Sequence, residues 1–288
     1  MPTNFPPVQQ IDLDFMIGES RTIRISDLMS LRVYRDTRPS NLKIANLQKG
    51  LILVYEGNEL VGEGTGFGLP VLVCSDQTYF SGSSTIRVAQ QDDRWSIRKE
   101  FMMDRTARNR FRNITLENRV ARDLIAYLSR LYQMHPKLRF LRLKGVTQRI
   151  DINASFVQTK PIGKVNVIYA IDKKRISISA DFRDLERDRL EKMFMLNEQG
   201  SRFFRKYSDS QGTKLEDSQI GAWDGIQAEW ASLELPDNEV GFRLWKKKNS
   251  ILRRGREYLK DSLDWVGLDY ELSPETLLFE YPIEILGA

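Results

Sequence analysis

Histidine and cysteine are nearly missing from this sequence: each occurs once among 288 residues, as His135 and Cys74. One cysteine cannot form an internal disulfide, and a chain this long does not need one to hold a core together. The same scarcity excludes His-pair and thiolate zinc sites and argues against a Ser–His–Asp triad. Cys74 lies in an apolar run and is expected in the core. His135, in Met134-His135-Pro136, is expected at a helix end or on the surface.

Long apolar runs are missing too. No stretch approaches the ~18 apolar residues that span a bilayer. The first ten residues (MPTNFPPVQQ) carry neither the basic nor the apolar region of a secretory signal. The expectation is a cytoplasmic protein with no membrane partner. Gly-Lys-Ser/Thr does not occur, nor does the G-x-G-x-x-G spacing followed by a helix, so neither a nucleotide nor any other cofactor is expected.

What remains is ordinary for a folded globular chain: 41% hydrophobic and 29% charged residues, with a formal net charge of +5. That charge is modest and favours an acidic partner only slightly. Period-2 alternation recurs through most of the sequence. It marks residues 22–26, 31–34, 51–55, 71–74, 78–80, 150–157, 164–171 and 175–180 as strands. Residues 193–196, 202–207, 225–235, 240–246 and 277–285 continue the pattern. Turns fall at Glu56-Gly57-Asn58-Glu59, Ser75-Asp76-Gln77 and Asp172-Lys173-Lys174. Ile176-Ser177-Ile178-Ser179-Ala180 is the clearest half-buried strand.

One stretch has helical spacing, with apolar residues at Leu116, Val120, Leu124, Leu128, Leu131 and Tyr132. Thr115 caps it and Pro136 stops it, giving a helix near 115–133. A shorter helix is expected over 185–192. The economical fold is mainly β, a large two-sheet antiparallel sandwich with one substantial α-helix, built as a single domain over 1–288.

Gly62, Gly64, Gly66 and Gly68 recur at two-residue spacing. In a strand they would bare one face, either for a ligand or for close backbone contact at a bend, and the bend is the commoner reason for strand glycine. With metal and thiol chemistry excluded, carboxylates are the acid–base candidates. Glu63, beside the glycines, and Glu198, in Asn197-Glu198-Gln199-Gly200, are expected catalytic residues; Asp76 is a third, in a turn. A carboxylate pair ~5–10 Å apart suits glycoside chemistry. Tyr79 and Trp223 are the expected substrate-binding rings, because an aromatic face packs on the apolar face of a pyranose. Trp223 lies in a turn, whereas alternation with Ile226 and Ala228 places Trp230 in the core.

Two basic clusters stand out. Arg94, Arg98, Lys99, Arg105, Arg108, Arg110 and Arg112 form one; Arg243, Lys246, Lys247, Lys248, Arg253, Arg254, Arg256 and Lys260 form the other. Interleaved aromatics resemble a polyanion-tracking surface. An ordinary solvated face, balanced by the acidic C-terminal segment, is the simpler reading.

From Ile176 onward the strings ISISADF, MLNEQGSRFF, SQIGAWDGIQAEW and LLFEYPIEI resemble the galactose mutarotase-like β-supersandwich. The resemblance implies a carbohydrate ligand. Mutarotases pair histidine with a carboxylate, which a chain with only His135 does not readily reproduce, so the resemblance points toward carbohydrate and away from mutarotation. The leading expectation is a carbohydrate-binding or carbohydrate-modifying β-sandwich. The alternatives are a non-enzymatic module binding a polyanion or nucleic acid through the basic clusters, and a structural or assembly protein.

Overall fold

A computed structural model describes residues 20–35, 47–75, 77–111, 114–116, 152–221, 223–237, 239–259 and 263–287. The helix expected near 115–133, His135 and Asp76 lie outside them. Four of the described strands form a small antiparallel sheet in chain order: β1 (Ser20–Arg24), β2 (Met29–Tyr34), β3 (Ile52–Tyr55) and β4 (Asn58–Glu59). Sixteen more form one large sheet. They begin with β5 (Gly66–Cys74), β6 (Thr78–Gln91), β7 (Arg94–Phe111), β8 (Ile114–Leu116), β9 (Ile152–Gln158), β10 (Lys164–Asp172) and β11 (Arg175–Asp181). There follow β12 (Leu190–Gln199), β13 (Lys206–Asp209), β14 (Lys214–Glu216), β15 (Asp224–Gly225) and β16 (Trp230–Glu234). The last are β17 (Gly241–Trp245), β18 (Ser250–Leu259), β19 (Leu263–Leu272) and β20 (Leu278–Leu286).

The large sheet runs β14-β13-β16-β17-β20-β11-β10-β7-β6-β5-β12-β19-β18-β15, with β8 and β9 also paired to β7. It curls so that its two ends face each other. Phe67 of β5 meets Phe242 of β17 edge-on at 5.0 Å, and Tyr270 of β19 meets Tyr281 of β20 at 4.7 Å. The result is an open, sandwich-like β fold. Ile23, Leu31 and Val33 of the small sheet join the same core cluster as Phe67, Val167 and Tyr270. Each such side chain, taken fully out of water, contributes ~1.5–3 kcal/mol.

Local sequence explains the regular part. Ile176, Ile178 and Ala180 are buried and Ser177 is exposed, as alternation requires. The β10–β11 hairpin turns at Lys173, whose φ is 45°. Glu56 and Gly57, with φ of 48° and 79°, make the β3–β4 turn, the paired left-handed geometry that matches strand twist.

Two expectations are corrected, and of the two readings of the glycines the close-contact one holds. Residues 185–192 are not helical: the Glu186 N–H donates to Ile162 O at 2.8 Å, and Leu190 already begins β12. Arg187 explains why, since its guanidinium donates to Phe182 O at 2.7 Å and reaches the Pro274 and Thr276 carbonyls, tying the segment down as turns. The glycines do not share one face of a strand. Gly62 lies in a turn, and β5 starts only at Gly66, where Gly66 and Gly68 take φ of 78° and 77°. Close packing is their role: a Cβ on Gly64 would lie 2.9 Å from the Glu198 backbone, and one on Gly68 would lie 2.7 Å from the Tyr169 ring. Trp230 is half-buried rather than core; the Arg243 guanidinium stacks on it at 4.3 Å, and Trp245 is its cross-strand partner.

Candidate functional site

Two adjacent glycines open a gap in the outer face of β12, β19 and β18. Glu198 pairs with Gly267, and Gly267 pairs with Gly255, so the three share one row and one face of the sheet. The Trp223 indole fills the space that side chains would take there. A Cβ on Gly255 would sit 2.3 Å from Trp223 Cδ2; one on Gly267 would sit 3.1 Å from Trp223 Cη2 and 3.0 Å from Glu198 Cγ. The ring therefore spans both glycines, with its far corner beside Glu198. Two contacts hold it: Trp223 Nε1–H donates to Glu257 Oε1 at 3.1 Å, and Arg253 donates to Trp223 O at 2.9 Å. Trp223 stays half-buried, which leaves it surface to offer a ligand.

Glu198 and Glu257 flank this ring, and Asp269 adjoins Glu198; each of the three carboxyl groups is held toward its protonated form. Burial pushes Glu198 up to about 7, against the opposing pull of donated hydrogen bonds from Thr65 and of the Lys49 charge; Glu257 adds to the upward push. Burial also raises Asp269 well above the usual carboxylate range, reinforced by Glu198, although the Asn197 N–H donates to it at 2.8 Å. Glu257 is raised by burial in spite of hydrogen bonds from the Trp223 and Trp265 indoles. Desolvation dominates throughout, as it does when carboxyl groups are packed together out of water. A group poised near neutrality both gives and takes a proton, the property required of a general acid–base. Among the described residues no group of three His, Cys, Asp or Glu is placed to hold a metal ion.

The second layer over this face comes from distant sequence. Residues 48–51 run beside 64–67, with Gly50 N–H donating to Thr65 O at 2.8 Å and Leu51 N–H to Phe67 O at 3.0 Å. Lys49 Nζ donates to Gly64 O at 2.7 Å. Farther along the strip, Glu271 binds both Lys192, at 2.6 Å, and Arg253.

Of the four site residues expected from sequence, Glu198 and Trp223 come together. Glu63 stands beside them in the 61–64 turn, its N–H donating to Asp264 O at 3.0 Å. Tyr79 does not join them. It is only 2% exposed, and its hydroxyl accepts from Gln77 Nε2 at 2.6 Å, so its ring is core and not a surface platform. Glu257, Asp269, Thr65, Lys49 and Trp265 are site residues that sequence reasoning misses. Arg253-Arg254-Gly255-Arg256-Glu257 looks like a charge run, and only the two-residue alternation of Gly255 with Glu257, opposite Gly267 and Trp265, betrays a strand.

Several members of the basic clusters are engaged inside the fold, while Arg94 and Arg98 are exposed and Arg112 and Lys260 lie outside the described residues. Lys99 is completely buried on the inward side of β7. Arg254 donates to Ile220 O at 3.2 Å and lies over Tyr207, while Arg256 is buried and reaches Ser201 O and Asp217. Lys246 and Lys248 are exposed. No helix among the described residues is long and apolar enough to cross a membrane.

No family model and no curated protein matches the sequence. Among solved structures, the fold is similar to that of the Slr1438 protein from Synechocystis sp. PCC 6803, at 10% identity and a TM-score of 0.43, over 96% of this chain and 99% of that one. It is also similar to a galactose mutarotase related enzyme from Lactobacillus acidophilus, at 8% identity and a TM-score of 0.38, over 93% of this chain and 97% of that one.

Proposed function

We propose that the β12–β19–β18 face binds a carbohydrate, with Trp223 as the stacking surface and Glu198 as the group that moves a proton. The observation that carries this reading is the juxtaposition itself: a carboxyl poised at about 7 beside an indole laid flat on two glycines. A pyranose presents an apolar C–H face to such a ring and hydroxyls to the groups around it. Glu198 donates to a sugar oxygen when protonated and accepts from a hydroxyl when ionised. Glu257, which accepts from the Trp223 indole at 3.1 Å, orients the platform, and Glu63 stands in the adjoining turn. The internal engagement of Lys99, Arg253, Arg254 and Arg256 weighs against a polyanion surface on these clusters, whose exposed cations among the described residues include Arg94, Arg98, Lys246 and Lys248.

A ligand panel of neutral and acidic glycans, heparin, DNA and RNA, read at roughly 50 and 200 mM salt, tests the reading, because counterion release makes polyanion binding fall steeply over that range. Salt-insensitive glycan binding, lost in Trp223→Ala and reduced in Glu198→Gln, is expected. Salt-steep nucleic-acid or heparin binding, weakened by Lys246→Glu with Lys248→Glu and indifferent to Trp223→Ala, overturns it.

A further inference from the structure

A lysine buried without exposure is costly unless its ammonium is well hydrogen-bonded, and it is kept only where its contacts matter. Lys99 is such a residue, at 0% exposure between Ile97 and Phe101 on the inward side of β7. Its Nζ donates to Tyr34 O at 3.2 Å, at the end of β2, and to Lys49 O at 2.8 Å. It thereby joins the large sheet to the small one and to the 48–51 segment at the same point.

That segment reaches the candidate site in one further step. Lys49 sends its own Nζ back to Gly64 O at 2.7 Å and Glu63 O at 3.4 Å, while Gly50 N–H holds Thr65 O at 2.8 Å. Thr65 favours the ionised form of Glu198; its neighbour Gly66 pairs with Glu198 across β5 and β12, and a Cβ on Gly64 would lie 2.9 Å from the Glu198 backbone. The contacts run from the core to the strand that carries the carboxyl: Lys99, the Lys49 carbonyl, the Lys49 ammonium, the Gly64–Thr65 backbone, and the Glu198 backbone packed against it. We propose that Lys49 is a positioning residue for Glu198, held in place by the buried Lys99, so that the small sheet and its connection form a working wall of the site. The inference rests on the reading of Glu198 as the site's acid–base group.

The groups facing Glu198 have defined signs. Thr65 and the Lys49 charge, from the covering segments, favour the ionised form. Glu257 from β18 favours the protonated form, and Asp269 from β19 repels the Glu198 charge, with Arg253 acting on Asp269 in the opposite sense. Removing the Lys49 charge leaves burial and the Glu257 charge opposed by Thr65.

The test is a carbon-13 NMR titration of the full chain labelled at glutamate carboxyls, the Glu198 resonance being assigned by its loss in Glu198→Gln. The wild-type midpoint is expected at about 7. Lys49→Met should move it to a pH about one higher, the lower end of the effect of an opposite charge at close range. Lys49→Arg should restore most of that change. Lys99→Met, or the milder Lys99→Gln if Met prevents folding, should raise the midpoint as well, although Lys99 does not touch Glu198; a role in stability alone predicts no such change. An unmoved midpoint in Lys49→Met, or in a folded Lys99 variant, overturns the relay. The titration needs no ligand, so it is independent of the glycan panel. A shifted midpoint with no glycan binding condemns the carbohydrate reading alone, and glycan binding with an unmoved midpoint condemns the relay alone.

Discussion

Strands β10, β11 and β20 alternate buried and more exposed residues with almost no interruption, whereas β12 and β19 abandon alternation midway. Val266 through Tyr270 are buried without a break, and so are Leu196's neighbours Asn197, Glu198 and Gln199. An antiparallel sheet with one wet face alternates; continuous burial means that both faces are covered. In β10–β11–β20 only the inner face is covered. In β12–β19 the outer face is covered by Trp223 and by the 61–65 turn, which the 48–51 segment holds in turn, and polar residues are buried on both sides of these strands. On the inner side, Asn197 accepts from Gly68 N–H and Tyr281 O–H and donates to Met195 O and Leu268 O. Most of these buried polar groups are partnered, but the Gln199 amide is buried with neither Nε2 nor Oε1 hydrogen-bonded, a concentration of polarity that makes this the specialised half of the sandwich.

The contrast is sharpest at glycine. Val at position 267 would press on Asn197 O, Glu198 Cγ and the Trp223 ring at 2.9–3.1 Å, and Val at 66 would meet Leu51 O at 2.7 Å from a φ of 78°. Overpacking of this kind costs about 1–3 kcal/mol, with backbone strain added at Gly66. Chemical denaturation should show losses of at least that size for both variants, with Trp223 fluorescence altered in Gly267→Val. If Gly267→Val leaves both midpoint and fluorescence at wild-type values, the roof over the glycines does not exist in solution.

A second difference appears with pH. Glu198 rises from 4.5 in the unfolded chain to about 7 in the fold, so the native state keeps a proton that the unfolded chain has released. Stability must then fall as pH rises through that window. A tenfold difference in proton affinity is worth ~1.4 kcal/mol, which makes the loss from this group about 3 kcal/mol. Asp269 and Glu257 act in the same direction. Asp181, Asp217 and Glu271 are lowered by their arginine or lysine partners, so their contributions change at more acid pH and do not cancel the trend. Thermal midpoints measured from pH 5 to pH 8 should decline in the wild type and decline less in Glu198→Gln. A wild-type midpoint that rises across this range contradicts the buried-carboxyl arrangement.

How much of this was legible in the sequence follows the same division. Alternation identifies β10, β11 and β20, along with their turns, because one face is wet and the pattern stays clean. It fails for β18 and β19, where Arg253, Arg254, Arg256 and Glu257 read as a solvated charge run and Asp264, Asp269 and Glu271 as an acidic counterweight. Those charges are engaged by Trp223, Ile220, Ser201 and Glu271, partners that only the folded chain supplies. Glu198 and Trp223 were accessible because each adjoins glycine or turn residues. Tyr79 looked equivalent, yet no local feature distinguishes a ring on the inner face from one on the outer.

The smallest effect belongs to the regular half. Ile168 is 37% exposed on the outer face of β10, between Arg98 on β7 and Ser179 on β11. Replacing it with Thr keeps the branched Cβ that suits a pleated strand and removes little surface that folding takes out of water. The expected change is within about 0.5 kcal/mol, the usual range for a surface site without special contacts. Leu268→Thr places the same residue type at a fully buried position of β19 and sets a new hydroxyl in the core, so it should cost several times more. Urea denaturation of both variants gives the comparison directly. Equal losses would mean that the outer face of β10 is covered as thoroughly as β19, and the distinction between an open half and a roofed half would fall.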